Sequence, residues 1–280
     1  MLRTLLSIYS RVKCCVKLNN FYTDWFDVNA GLKQGCKLSP LLVSLFINDL
    51  DEELKKLNIG IQIGDEKACV LLYADNVVLL AENETEFQLL LNVLNTWCCK
   101  NDLDVNYDKS KIVHFRNQSR IVTSKDFHIG DITIEIVTKY NYLGLVITEF
   151  LDYNVMAKAV AMSASRALGL LIAKCKLNGG FIFNTYTILY DSLLWSIISY
   201  GAAIWGTKEY SCINAVQHRF YLGVGKYTPN LSVIGDMGLK PSIIRQWSCV
   251  LRNWQRCTKM DSTQLNKKVC LRANSCATIE

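Results

Sequence analysis

The chain has 280 residues, half of them hydrophobic, a fifth charged and only three proline. It is able to bury a sizeable core, which excludes a disordered polypeptide and leaves one large or two modest domains. The formal charge of +6 suits a polyanionic partner but is ordinary for a soluble protein, so it selects no function by itself. Twelve cysteines form no CxxC pair and have no histidine at zinc-ligand spacing, which argues against a structural zinc site. They read as free thiols of a reducing, intracellular compartment, nucleus or cytoplasm.

The opening "MLRTLLSIYSRVKCC" is basic, and its short apolar stretch is broken by Arg11 and Lys13, so no secretory leader is expected. Leu2 to Val12 is predicted as a helix, and Cys14 to Leu18 and Trp25 to Val28 as strands paired around Asn19-Asn20. "GLKQGCKLSP" is a glycine-punctuated loop that ends in a helix start, with Ser39 as N-cap and Pro40 at the first helical position. Leu42, Leu45, Phe46, Leu50, Leu54 and Leu57 then recur at helical spacing as a stripe expected to face the core.

"ACVLLYADNVVLLAE", Ala68 to Glu82, is two apolar runs folded about Ala74, Asp75 and Asn76. On residue types alone Asp75 is either a turn former or a metal ligand. In "TEFQLLLNVLNTWCCKN", Thr85 and Gln88 have capping-box spacing, and Phe87, Leu90, Leu91, Leu94, Trp97 and Cys98 form one stripe. Strand-like runs follow at Ile112 to Phe115, Ile132 to Ile136 and Tyr142 to Ile147.

From about Asp152 the character changes, and Val155 to Lys176, Phe181 to Trp205, Ser211 to Leu222 and Pro241 to Met260 are expected to be helical. The expected class is α+β, with a mixed segment at 1–150 and a mainly helical one at 151–280. Ile188 to Gly206 approaches the length of a membrane span. Asp191 within it would cost about 2.5 kcal/mol or more near a bilayer centre, so a buried helix is expected and no membrane contact.

Three stretches in order resemble successive palm segments of the reverse transcriptases of non-LTR (LINE-type) retrotransposons: "GLKQGCKLSPLLVSLFINDL", "LLYADNVVLL" and "LDVNYDKSKIVHF". "YNYLGLVIT" resembles the hairpin that grips the primer, and "LYDSLLWSIISYGAAIWG" and "GDMGLKPSIIRQWSCVLRNWQRCTKM" are similar to the helical region after the palm. The resemblance implies a partial polymerase palm followed by a thumb-like region, RNA-templated DNA synthesis, an RNA template and a DNA primer as partners, and Mg2+ as cofactor.

It further implies that Asp75 is a metal ligand with Asn76 in the place of a second aspartate, and that Gln34 and Gly35 approach the incoming nucleotide and template. Lys109 would lie near the triphosphate, and Tyr142, Leu143 and Gly144 would hold the primer. Polymerases of this kind hold two divalent cations about 3.5 to 4 Å apart with carboxylates from neighbouring strands. The family's early palm strand and its aspartate should precede "GLKQG" by several tens of residues. The acids before Gly31 are Asp24 and Asp27, in a segment that itself looks like the one adjoining the loop. The expectation is therefore an N-terminally truncated reverse transcriptase with weak or no metal binding, inactive as an isolated chain, with RNA template and DNA primer as partners by resemblance or none in practice. The alternative is a non-catalytic nucleic-acid-binding or interaction module.

Three readings stand apart from the resemblance. His114, His128 and His218 are expected to be structural or exposed, and Trp195, Tyr200 and Trp205 to be core. Lys174, Lys176, Arg219, Lys226, Arg245, Arg252, Arg256 and Lys259 give the helical half a basic face, ordinarily solvated, that is able to track phosphates.

Overall fold

The computed structural model describes residues 2–28, 31–33, 35–220 and 240–277. Helix α1 covers Leu2–Tyr9, shorter than expected by three residues. The predicted ribbon follows as two short ladders. Strand β1 (Lys13–Cys14) pairs with β4 (Phe26–Asp27), and β2 (Lys17–Leu18) with β3 (Phe21–Tyr22). Asn19 opens the turn at φ +53°, a backbone region that asparagine tolerates better than most residues.

Helix α2 spans Ser39–Lys55, but Ser39 is not its cap. Leu38 before it is already α-helical, and the Ser39 hydroxyl donates instead to Lys33 O at 2.8 Å. The stripe is also covered only in part. Leu50 and Leu54 are buried, whereas Leu45 and Phe46 stay exposed and Ile47 takes the inner position. Strands β5 (Ile61–Ile63) and β6 (Glu66–Ala68) make an unanticipated hairpin, and β7 (Val70–Tyr73) and β8 (Asn76–Leu79) make the expected one.

Helix α3, Glu84–Lys100, is capped by Asn83, whose side chain accepts from Glu86 N at 2.9 Å. The cap therefore lies two residues before Thr85, and Gln88 is left for another task. Its amide donates to His128 O and accepts from His128 N, fastening α3 to β9 (Phe127–Ile129). Strand β9 pairs with β10 (Ile132–Ile134), and the strand expected at 112–115 reduces to one parallel bridge, Ile112 to Ile136. Leu50, Leu54, Leu90, Leu91 and Trp97 centre the first core, which Phe127, Ile129 and Ile134 close from the sheet side. Strands β11 (Lys139–Tyr142) and β12 (Leu145–Thr148) form the last hairpin.

The second core is helical. Helix α4 (Asn154–Leu177) buries Ala157, Val160, Ala161, Ala164, Leu168 and Leu171, a stripe in which alanines allow close approach of α8 (Ser211–Arg219). Among the described residues α4 is the one helix long and apolar enough to cross a membrane, and its stripe forms this core. The window at 188–206 is not one helix. It runs as α5 (Phe183–Leu189), a π-helical turn (Tyr190–Trp195), α6 (Ser196–Ile198) and, after Gly201 at φ +63°, α7 (Ala202–Trp205).

Helix α9 (Ser242–Lys259) is pinned at its start by Gln217, which donates to Lys240 O and accepts from Ser242 N, each at 3.0 Å. Helix α10 (Leu265–Ala277) was not anticipated. Trp205 is fully buried as expected, but Tyr200 is 53% exposed and belongs to the surface. Burial pushes the Tyr186 phenol up to about 12, where it stacks on Phe220 at 4.3 Å. Leu145 and Val146 of β12 pack on this second core, so the last hairpin joins the mixed and the helical halves.

Candidate active site

The β7–β8 ladder pairs Val70 with Leu79, Leu71 with Val78, Leu72 with Val77 and Tyr73 with Asn76. Its turn is therefore Ala74-Asp75, and Asn76 is the first residue of the returning strand rather than part of the tip. Ala74 sits at φ +52°, a conformation that costs a non-glycine residue on the order of 1 kcal/mol. Asp75 is exposed, with the Asn76 amide nitrogen 3.5 Å from its carboxylate. Among the described residues no group of three or more histidine, cysteine, aspartate or glutamate side chains is placed to share a metal ion. Asp75 and Asn76 alone do not fit a two-cation site. Asp27, one of the two acids of the opening segment, is ion-paired with Lys13.

Gly35 has φ +80°, and among the described residues, its chain neighbours aside, no atom lies within 4 Å of where its Cβ would be. The backbone favours glycine there, and the described residues leave the space beside it open. Gln34 lies outside the described residues. One feature of this loop escaped the sequence reading. Cys36 lies just before α2, and its thiol is held below the usual cysteine range chiefly by the Leu38 backbone amide, then by the Tyr9 hydroxyl and Ser39. The legible signal was a cysteine three residues before a Ser-Pro helix start.

Lys109 is exposed and sits on a turn whose backbone is held from both sides. Its N–H donates to Asn106 Oδ1 at 3.1 Å, and its carbonyl accepts from the Tyr140 hydroxyl at 2.8 Å. That second bond docks the lysine turn onto the β11–β12 hairpin. The hairpin turns through Leu143 and Gly144, at φ +49° and +78°, the pair of left-handed residues that a tight type I′ turn requires. Burial raises the Tyr142 phenol above its usual range, with a smaller contribution from the Tyr73 phenol beside Asp75.

Tyr200 is the second residue that the sequence reading missed. Its hydroxyl donates to Leu143 O at 2.5 Å, and its ring would lie 3.0 Å from a Cβ at Gly144. Gly144→Ala is expected to destabilise by about 1–3 kcal/mol, because left-handed strain and the Tyr200 contact both oppose the methyl. Urea denaturation measures this, and a neutral result would mean that Tyr200 does not fix the turn.

A family profile described as reverse transcriptase (RNA-dependent DNA polymerase) matches residues 2–147, a span that includes Gly35, Asp75, Lys109 and Gly144. The chain belongs to the reverse transcriptase family. It is 25% identical over 208 residues to a probable RNA-directed DNA polymerase from transposon BS of Drosophila melanogaster, covering 72% of this chain and 22% of that protein. It is 22% identical over 212 residues to the RNA-directed DNA polymerase from mobile element jockey of the same organism, with the same two coverages. A Pol polyprotein from the type-2 retrotransposable element R2DM, also of D. melanogaster, is 29% identical over 125 residues, 42% of this chain and 12% of that protein. This reverse transcriptase chain therefore spans about a fifth of the first two relatives' length, and its relatives are enzymes of non-LTR retrotransposons. Reverse transcriptases generally use divalent metal ions.

The basic face of this reverse transcriptase is smaller than its sequence suggests. Arg245 donates to Asp191 at 2.7 Å and lies over the Trp195 ring at 3.9 Å, so it holds α9 to the π-helical turn instead of facing phosphate. Lys174 and Lys176 close α4, where cations complement the helix dipole, and Lys226 lies outside the described residues. His114 accepts from Thr123 N, and His128 bonds Thr133, both structural as expected.

Proposed function

We propose that these 280 residues are the palm segment and the thumb-like helical segment of a non-LTR retrotransposon reverse transcriptase, divided near Phe150, and that they do not polymerise on their own. The family chemistry is DNA synthesis on an RNA template from a DNA primer with Mg2+. In this reading Gln34 and Gly35 border the incoming nucleotide, Lys109 the triphosphate, and Tyr142, Leu143 and Gly144 the primer.

The observation that carries the proposal is Asp75. It is an exposed carboxylate at the tip of a two-stranded ribbon inside the family match, with no ligand cluster beside it among the described residues. At about 4 Å and an effective dielectric near 20, each carboxylate attracts a unit charge by on the order of 4 kcal/mol before desolvation. Asn76 keeps an oxygen but supplies no such charge. The ribbon is also able to accept a further strand. Leu71, Leu72 and Tyr73 are exposed, and a sheet of two strands leaves edges on which another strand is able to pair.

The test is primer extension on a primed RNA template with Mg2+ or Mn2+. The expected result for the 280-residue chain is no incorporation above a control without protein. Template-dependent incorporation that Asp75→Ala abolishes would overturn the claim of inactivity and leave the metal-ligand role of Asp75 standing.

A further inference from the structure

The mixed and helical halves are joined at two places of opposite chemistry. At the first, Leu145 and Val146 of β12 pack into the helical core and the Tyr200 hydroxyl donates to Leu143 O, so that joint is largely apolar. At the second, α10 comes back onto β5, and the joint there is polar. Lys268 Nζ lies 2.6 Å from Glu66 Oε1, and the Arg272 guanidinium donates to Gln62 O, a contact between residues 210 positions apart. Among the described residues, neither core takes in any part of α10 or of β5.

Helix α10 is fastened to α9 but merely latched to β5. On the α9 side Lys267 Nζ donates to Thr258 O and Met260 O, each at 3.0 Å. Asp261 Oδ1 accepts from Thr263 N at 2.9 Å and from its hydroxyl at 2.7 Å, which fixes the corner between the two helices. Lys268 and Arg272, four residues apart and so on one face of α10, hold the β5 side. Their partners are a carboxylate that is 67% exposed and the backbone oxygen of an exposed residue. Lys55 also acts on Glu66, but it is tied to Asp51 at 2.6 Å. Exposed ion pairs contribute little and are screened by salt, whereas an apolar joint is not.

We propose that α10 is a salt-releasable latch between the two halves. Closed, it ties the β5–β6 hairpin to the helical half through Lys268 and Arg272. Open, the halves part at that joint and turn about the joint of β12 with α4, which stays packed. On the reading of these halves as palm and thumb-like segments, the latch governs how freely one moves against the other. Its test needs no activity, so the latch and that reading fail separately.

Hydrogen exchange and small-angle X-ray scattering on the full chain test it. Once parted, α10 is a helix of 13 residues and β5–β6 a hairpin of two strands, each marginal without support. In Glu66→Lys, which sets a cation against Lys268, exchange at residues 61–68 and 265–272 should quicken about fivefold or more, and the radius of gyration should rise. Raising NaCl from about 0.05 M to about 0.5 M should move the wild type in the same direction. Exchange at residues 143–146 and in α3 should stay as it was. The swap of Glu66→Lys with Lys268→Glu should restore slow exchange and the smaller radius. Glu66 is exposed, so circular dichroism should show an unchanged fold. The proposal is overturned if exchange at 265–272 is the same in Glu66→Lys as in the wild type, if the radius of gyration does not rise, or if the swap restores neither. Equal quickening in α3 would also overturn it, since that is a general loss of stability and not the opening of one joint.

Discussion

Trp205→Ala is expected to cost about 3–5 kcal/mol, the usual range for deleting a fully buried indole. Trp205 is 0% exposed, its indole N–H donates to Tyr200 O at 2.9 Å, and its own carbonyl accepts from the Tyr210 hydroxyl at 3.1 Å. The substitution opens a cavity, removes a hydrogen bond and leaves α7, only four residues long, without the packing that holds so short a helix. The damage should travel. Tyr200 loses the bond to its carbonyl, and the same residue's hydroxyl holds Leu143 at the tip of the β11–β12 hairpin. Amide hydrogen exchange at residues 143–145 should therefore accelerate, although the substitution lies in the helical half. The two cores give an internal control. Urea unfolding followed by two probes should show Trp205→Ala moving the transition of the helical core and Leu90→Ala that of the mixed core. Equal movement of both would make the chain one cooperative unit, and a loss under about 1 kcal/mol would refute the packing account.

Much of this architecture is legible because helical and strand periods leave different marks. Leu90, Leu91, Leu94, Trp97 and Cys98 repeat at helical spacing and are buried together, and the two apolar runs of "VLLYADNVVL" form the ribbon that their central turn residues suggest. What the period cannot reveal is whether anything covers an apolar face. Leu45 and Phe46 continue the α2 stripe into solvent, and the apolar stripe of α9 at Ile244, Trp247, Leu251 and Trp254 does the same. Caps were misplaced for a related reason. Asn83 and Thr85 both suit a cap, and the choice fell to the residue whose extended backbone, φ −140° and ψ 164°, lets its side chain reach the N–H three positions on.

At the candidate site, Asp75 was legible as the tip of a ribbon, whereas Gly35 and Gly144 entered only through the resemblance, and the positive φ that each takes belongs to the turns they occupy. Ordered resemblance across "GLKQG", "YADN" and "YNYLG" anticipated the family match over 2–147. Tyr200 was not legible. It reaches Leu143 from 57 residues further along the chain, a contact written in the packing of two halves and in no local pattern. Arg245 misled the reading because sequence shows its charge but not the Asp191 carboxylate that takes it up.

Removing Arg116 alone should cost about 3–5 kcal/mol, while replacing it together with its partner should cost little or even stabilise by about 1–4 kcal/mol. Arg116 and Glu149 meet at 2.9 Å with side chains only 12% and 13% exposed, and the guanidinium lies 4.7 Å from the Phe150 ring. Arg116→Ala strands a carboxylate in that setting, and Glu149→Ala strands a cation whose buried Nε already has no hydrogen-bond partner among the described residues. In Arg116→Met with Glu149→Leu both desolvation penalties vanish, and the methionine is able to lie on Phe150. The bond from Arg116 to Arg120 O is lost as well, but Arg120 is exposed and water takes its place. The pair matters to the candidate site because Glu149 closes the ladder that carries Tyr142, Leu143 and Gly144. Its N–H donates to Thr138 O at 2.9 Å, and its carbonyl accepts from Arg116 N at 3.1 Å. These backbone bonds survive the double replacement, so the hairpin should persist in it and fray in either single variant. Urea denaturation of the four proteins at low and high salt tests this, and high salt should change the wild-type value little because so buried a pair is weakly screened. A double variant as unstable as the singles would show that the ion pair, and not merely the volume it fills, holds the end of the hairpin in place.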